Sequence, residues 1–185
     1  MGLDYSSKEL FVSSENQRGH APKFYNKYQD KLAKEQRILA RRTKDSNNWY
    51  KQKLKVGRLH SKIKNLRADY LHKLSKKLIE KYNAICIEDL DLKSMKIKNL
   101  AKHTFDNAWG MLVNMLEYKS IFSGKQVIKI DRYYSSSKTC SSCNAVKSTL
   151  ELNERIYKCE CGLSIDRDLN ARYNILTEGK KLLAY

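Results

Sequence analysis

The chain has 185 residues, with 37 Lys and Arg against 20 Asp and Glu and a net charge of +17. Such a field attracts polyanions, nucleic acid above all. The longest apolar runs are only a few residues, which excludes a membrane-spanning helix, and the start Met-Gly-Leu-Asp lacks the apolar stretch of a signal peptide. Hydrophobic residues make up 41%, enough for a core, and the length suits one domain with an insertion or two small ones.

In chain order, Gly2 to Asp4 and Glu9 to Ser13 predict a short hairpin turning at Tyr5-Ser6-Ser7-Lys8. Residues 23–81 then hold 19 Lys and Arg against 5 Asp and Glu, a net of +14. Ala21-Pro22 places the single proline where a helix can start. Tyr25, Tyr28, Leu32 and Leu39 fall near one helical face. Asp45-Ser46-Asn47-Asn48 is a break with capping residues. Val56, Leu59, Ile63, Leu66, Tyr70, Leu74 and Leu78 follow at steps that mark a long amphipathic helix. Two such helices joined by a short break predict an antiparallel hairpin. Its cations suit either nucleic-acid contact or a merely solvated face. Gly57, inside the second helix, predicts a bend or close packing. Trp49 and Tyr50, among lysines at the tip, can stack on bases or simply pack.

Ala84 to Leu90 is a short apolar run ending in acid and predicts a buried parallel strand, with Cys86 as a small buried hydrophobe. Phe105, Trp109, Leu112 and Leu116 have helical core spacing, and Gln126 to Tyr134 predicts another strand. Strands alternating with helices imply an α/β sheet.

Two motifs carry chemistry. Cys140-Ser-Ser-Cys143 and Cys159-Glu-Cys161 are close pairs separated by 15 residues, the pattern of one tetrahedral zinc ion. All four ligands are thiolates, so the site is predicted to be structural. Such cysteines also fit a reducing cytosol better than a disulfide framework. Three acids stand out by position: Asp4 in the first strand, Glu88 at the end of the central strand, and Asp168 opening the last helix. Ligands of α/β sheets gather at the carboxyl ends of strands. Carboxylates converging there suit Mg²⁺ or Mn²⁺, and two such ions can hydrolyse a phosphodiester. Each acid can equally cap a helix or lie on the surface, and Asp166 also sits at the helix start.

Gly2 to Leu10, Ile87-Glu88-Asp89-Leu90 and Asp166-Arg167-Asp168-Leu169-Asn170-Ala171 resemble, in order, the three RuvC motifs of TnpB. TnpB is the RNA-guided nuclease family of bacterial insertion sequences, similar to the smaller type V CRISPR effectors. Ser136-Ser137-Lys138-Thr139-Cys140 resembles the lead-in to that family's zinc ribbon. The resemblance implies an α/β, ribonuclease H-like (RuvC) domain with an inserted basic helical hairpin and a small zinc ribbon. It divides the chain into a first nuclease part at 1–135 with the hairpin at 23–82, the ribbon at 136–164, and a last helix at 165–185. It implies that Asp4, Glu88 and Asp168 are catalytic and hold Mg²⁺ or Mn²⁺, with Asp168 preferred over Asp166.

The implied function is a transposon-associated RNA-guided DNA endonuclease, acting on DNA with a guide RNA. Its implied place is the bacterial cytoplasm, on the nucleoid when DNA-bound. The family carries N-terminal domains that bind guide RNA and read a short motif beside the target. These precede the first RuvC motif, which begins at Met1 here, so the chain reads as a truncated copy, a separately encoded half or an excised piece. The alternative is a cleavage-deficient nucleic-acid-binding protein or regulator derived from a mobile element. Three departures from the family stand out. Asn144 replaces a common Gly and tolerates the left-handed backbone, Ser135 replaces a common Pro, and the last pair is Cys-x-Cys. Only three residues precede Asp4, which predicts a weak sheet edge there.

Overall fold

A computed structural model describes residues 1–6, 9–20, 23–90, 108–151 and 154–183. Its elements are β1 (Gly2–Tyr5), β2 (Phe11–Ser13), β3 (Arg18–Gly19), α1 (Phe24–Ala40), α2 (Asn47–Lys81), β4 (Ala84–Glu88), α3 (Trp109–Phe122), β5 (Gln126–Ile130), β6 (Ile156–Lys158), β7 (Ser164–Asp166) and α4 (Arg167–Leu183). The expected turn residues Ser7 and Lys8, the Ala21-Pro22 helix start and Phe105 lie outside the described residues. α1 begins at Phe24.

The main sheet has five strands in the order β3-β2-β1-β4-β5. β1 runs parallel to β4, and β4 parallel to β5, whereas β1–β2 and β2–β3 are antiparallel. β1 is therefore an interior strand paired on both sides, which corrects the expectation of a weak edge. The short β3 was not anticipated, because two residues carry no periodicity. The strand expected over Gln126 to Tyr134 ends at Ile130. Beyond it Tyr133 N–H donates to Asp131 Oδ1 at 2.6 Å and Tyr134 N–H to Asp131 O at 3.1 Å, so the chain turns away.

Side-chain alternation assigns the two faces of the sheet. Leu3, Ile85 and Ile87 are fully buried with Leu71, Leu78, Leu112 and Leu116, which puts α2 and α3 on their side. Each such side chain contributes about 1.5–3 kcal/mol on burial. Cys86 and Ile130 face the other way and pack with Ile175 of α4. α4 crosses the sheet closely. A Cβ on Gly2 would stand 2.9 Å from Arg172 O, and one on Gly179 would stand 2.3 Å from Cys86 Sγ. Cys86 is thus a packed core thiol, 1% exposed.

The basic segment folds as the expected hairpin. Leu32, Val56 and Ile63 form its seam, with Tyr25, Tyr28, Leu39 and Leu59 partly buried around them. Ser46 caps α2 by accepting from Trp49 N–H at 3.2 Å. Trp49 and Tyr50 pack edge-to-face on each other, 5.1 Å between centroids. Gly57 corrects an expectation: α2 is continuous through it, and a Cβ there would meet nothing within 4 Å. At the other end of the hairpin, Lys125 Nζ donates to the carbonyls of Ile79 and Glu80, capping α2 where a cation is favoured.

Candidate metal centre and acid site

Two tight turns build the cysteine cluster. Asn144 N–H donates to Cys140 O at 3.0 Å, and Asn144 has φ +62°, the left-handed backbone predicted for it. Gly162 N–H donates to Cys159 O at 3.0 Å with φ +92°. The antiparallel pair β6–β7 carries the second turn. All four Sγ atoms, of Cys140, Cys143, Cys159 and Cys161, lie within 4.8 Å of one another. Cys140–Cys161 is 3.7 Å and Cys143–Cys159 is 3.6 Å. Four thiolates at Zn–S ≈ 2.3 Å on a tetrahedron stand about 3.8 Å apart. The cluster could therefore hold a metal such as zinc, with every ligand supplied by protein.

The acids come from three elements. Leu3 pairs with Ile87 in the parallel β1–β4 ladder, so the next residues, Asp4 and Glu88, stand side by side at the carboxyl end. Both alternate onto the α4 face. Asp168 lies in the first turn of α4, the end of the helix that favours negative charge. Asp166 sits two residues earlier, just before α4, and accepts from Leu169 N–H at 2.9 Å, which makes it a capping residue.

Electrostatics link the three. Burial, reinforced by the charges of Glu88 and Asp168 and opposed by Arg172, pushes the Asp4 carboxyl up to about 7. Negative charge at this edge is therefore under-compensated among the described residues. Among the described residues the four cysteines form a group of ligand atoms that all lie within 4.8 Å of one another.

Four residues around the acids have no role assigned to them from sequence, although Ser136 and Asn170 lie in the quoted motifs. Arg172 is 6% exposed; its guanidinium donates to Asp168 O at 2.9 Å, to Ser13 O at 3.2 Å and to Asn16 Oδ1 at 3.3 Å, tying the start of α4 to the β2–β3 turn. Asn170 and Asn174, one turn apart, are both buried. Asn170 Nδ2 donates to Thr139 O at 2.7 Å and Asn174 Nδ2 to Thr139 O at 2.6 Å. Ser136 Oγ donates to Glu88 Oε1. The signal for the asparagines was a polar i, i+4 pair beside Ala171 and Ile175 on the buried face of α4. Nothing in sequence shows that loop carbonyls lie above it.

The comparisons with known proteins cover the same regions. A family model described as probable transposase, OrfB_IS605, matches residues 1–99, and one described as the Cas12f1-like TNB domain matches residues 109–175. A Streptomyces pristinaespiralis protein provisionally named an RNA-guided DNA endonuclease is 40% identical over 97% of this chain and 45% of its own length. Escherichia coli K12 InsQ, provisionally named likewise, is 33% identical over 100% of this chain and 50% of its own length. The TnpB-like protein MJ0751 of Methanocaldococcus jannaschii is 33% identical over 73% of this chain and 51% of its own length. The chain thus spans about half the length of these curated relatives. A cryo-EM structure of the Cas12f1–sgRNA–target DNA complex matches with a TM-score of 0.58 and 20% identity, over 94% of this chain and 48% of that one. That is a likeness of fold, a mixed α/β one. No helix among the described residues is long and apolar enough to cross a membrane.

Proposed function

We infer the function of this chain from its family: it belongs to the OrfB_IS605 family of probable transposases, as the matches over residues 1–99 and 97–100% of the chain establish. We propose that it is the nuclease portion of a transposon-associated RNA-guided DNA endonuclease, built on a ribonuclease H-like (RuvC) sheet. The basic hairpin is an insertion at 23–82, the zinc ribbon spans 136–164, and the last helix follows at 165–185. Its partners would be DNA and a guide RNA. The observation that carries the reading is the common edge of Asp4 and Glu88 with the start of α4, joined to the raised Asp4 carboxyl. An acid held near 7 by burial and two neighbouring anions is one that a cation would ionise.

In this reading Asp4, Glu88 and Asp168 hold Mg²⁺ or Mn²⁺ through hard oxygen ligands. Bound ions would supply an activated water and charge stabilisation for phosphodiester hydrolysis that leaves a 3′-hydroxyl. Asp166 caps the helix that presents Asp168. Arg172 fixes the same helix and offsets part of the negative charge while the cation is away. Cys140, Cys143, Cys159 and Cys161 hold structural zinc and keep the ribbon folded beside α4. The exposed cations of the hairpin, Arg41, Lys44, Lys51, Lys55 and Arg58 among them, attract phosphate without reading sequence.

The net charge of +14 over residues 23–81 supports a second reading, a protein that binds nucleic acid without cutting it. Labelled single-stranded DNA incubated with the purified chain and Mn²⁺ decides between them. The nuclease reading expects weak cleavage without sequence preference, abolished in Asp4→Ala with binding retained. Binding with no cleavage by the wild type would establish the second.

A further inference from the structure

Ser136 stands between the cysteine cluster and the acids. It is 6% exposed, and its hydroxyl donates to Glu88 Oε1. Its backbone is fixed on both sides: its N–H donates to Tyr134 O at 2.8 Å, and its carbonyl accepts from Asn174 Nδ2 at 2.8 Å. The same Asn174 amide holds Thr139, the residue before Cys140, and Asn170 accepts from Ser141 N–H at 3.0 Å. Asn170 and Asn174 are 0% and 2% exposed, so neither amide has water to turn to. With the backbone held this way, the rotamer that Ser136 adopts brings its hydroxyl to Glu88 Oε1.

We infer that Ser136 is a positioning residue, whose hydroxyl holds one oxygen of Glu88 so that the carboxylate meets a divalent cation already oriented. The inference rests on the acid-site reading above. A glutamate side chain otherwise loses rotamer freedom on binding a metal, and that cost is borne in advance when a neighbour has already fixed it. Partners that orient a metal-ligating carboxylate typically change affinity by about 10–100-fold when removed. The route also explains why the ribbon's first residues pack on α4: the two asparagines that anchor it are two and six positions after Asp168, so one helix aligns both Asp168 and the loop that holds Glu88.

The test is calorimetric titration of the zinc-loaded chain with Mn²⁺ for the wild type, Ser136→Ala, Ser136→Thr and Glu88→Ala, with zinc content and melting temperature measured on each. We expect Ser136→Ala to weaken Mn²⁺ binding roughly tenfold or more with zinc content unchanged. Ser136→Thr, which keeps the hydroxyl, should bind within about threefold of the wild type, and Glu88→Ala should lose the site. Equal Mn²⁺ affinity in wild type and Ser136→Ala overturns the positioning role while leaving the acid site standing. So does equal weakening in Ser136→Ala and Ser136→Thr when Ser136→Thr melts like the wild type. A wild type that binds no Mn²⁺ overturns the acid-site reading and this inference together.

Discussion

Asp4 is the residue whose chemistry depends most on its surroundings. Its carboxyl moves from 3.8 to about 7, through burial first and then Glu88 and Asp168. The folded value lies above the unfolded one, so folding takes up a proton in that window. Metal-free stability should therefore fall as pH rises from about 4 to 7 and stay low above it. Asp4→Asn removes the penalty. It should raise the melting temperature of metal-free protein at pH 8, by a free energy on the order of a few kcal/mol, and the gain should vanish near pH 4. Melting curves of both proteins across that range, in EDTA-treated buffer with zinc restored, check it. Asp4, Glu88 and Asp168 could be named from sequence because strand ends and a helix start have local signatures. The partners that hold them could not. Ser136 and Arg172 act through contacts 48 and 159 residues away in the chain, and no local pattern carries those separations.

Among the elements, the hairpin was the most legible, since apolar spacing over 35 residues of α2 leaves little ambiguity. Its glycine was misread, because sequence shows that Gly57 interrupts a helix but not whether anything touches it. With open space around it, Gly57→Ala should stabilise the chain by about 0.5–1 kcal/mol, a rise of a few degrees in melting temperature. A fall would contradict the open space found around Gly57. α4 is the opposite case. Its buried asparagines, Asn170 and Asn174, anchor the first residues of the ribbon through hydrogen bonds that no local pattern announces. Asn174→Ala should leave Ser136 O short of its buried donor and cost about 1–3 kcal/mol. It should also make zinc easier to strip, and the zinc released to a chelator over time, compared with the wild type, reads that coupling. β3 escaped prediction because two residues have no period, and its pairing to β2 is set by the Ser13–Asn16 turn.

At the scale of the whole molecule, charge and architecture point in one direction. The +17 field is concentrated on a hairpin that stands apart from the sheet in sequence, while the acids sit at the carboxyl edge under α4. Attraction and proposed chemistry are thereby carried by different elements, which the composition already suggested and the sheet order made concrete. Binding to single-stranded DNA or RNA should follow counterion release. Affinity should drop roughly tenfold or more between about 50 and 200 mM salt, and charge-reversing changes at Lys51, Lys55 and Arg58 should flatten that slope without altering zinc content. Fluorescence anisotropy at several salt concentrations checks both.

The central claim is that Asp4, Glu88 and Asp168 form one divalent-cation site, and the most direct measurement is thermal melting with and without Mn²⁺. A ligand that binds the folded state alone stabilises by RT ln(1 + [L]/Kd). Mn²⁺ at 100 times its dissociation constant should therefore add about 2.7 kcal/mol to the wild type and nothing comparable to Asp168→Ala. An equal upward shift in both proteins would contradict the account, as would no shift in the wild type.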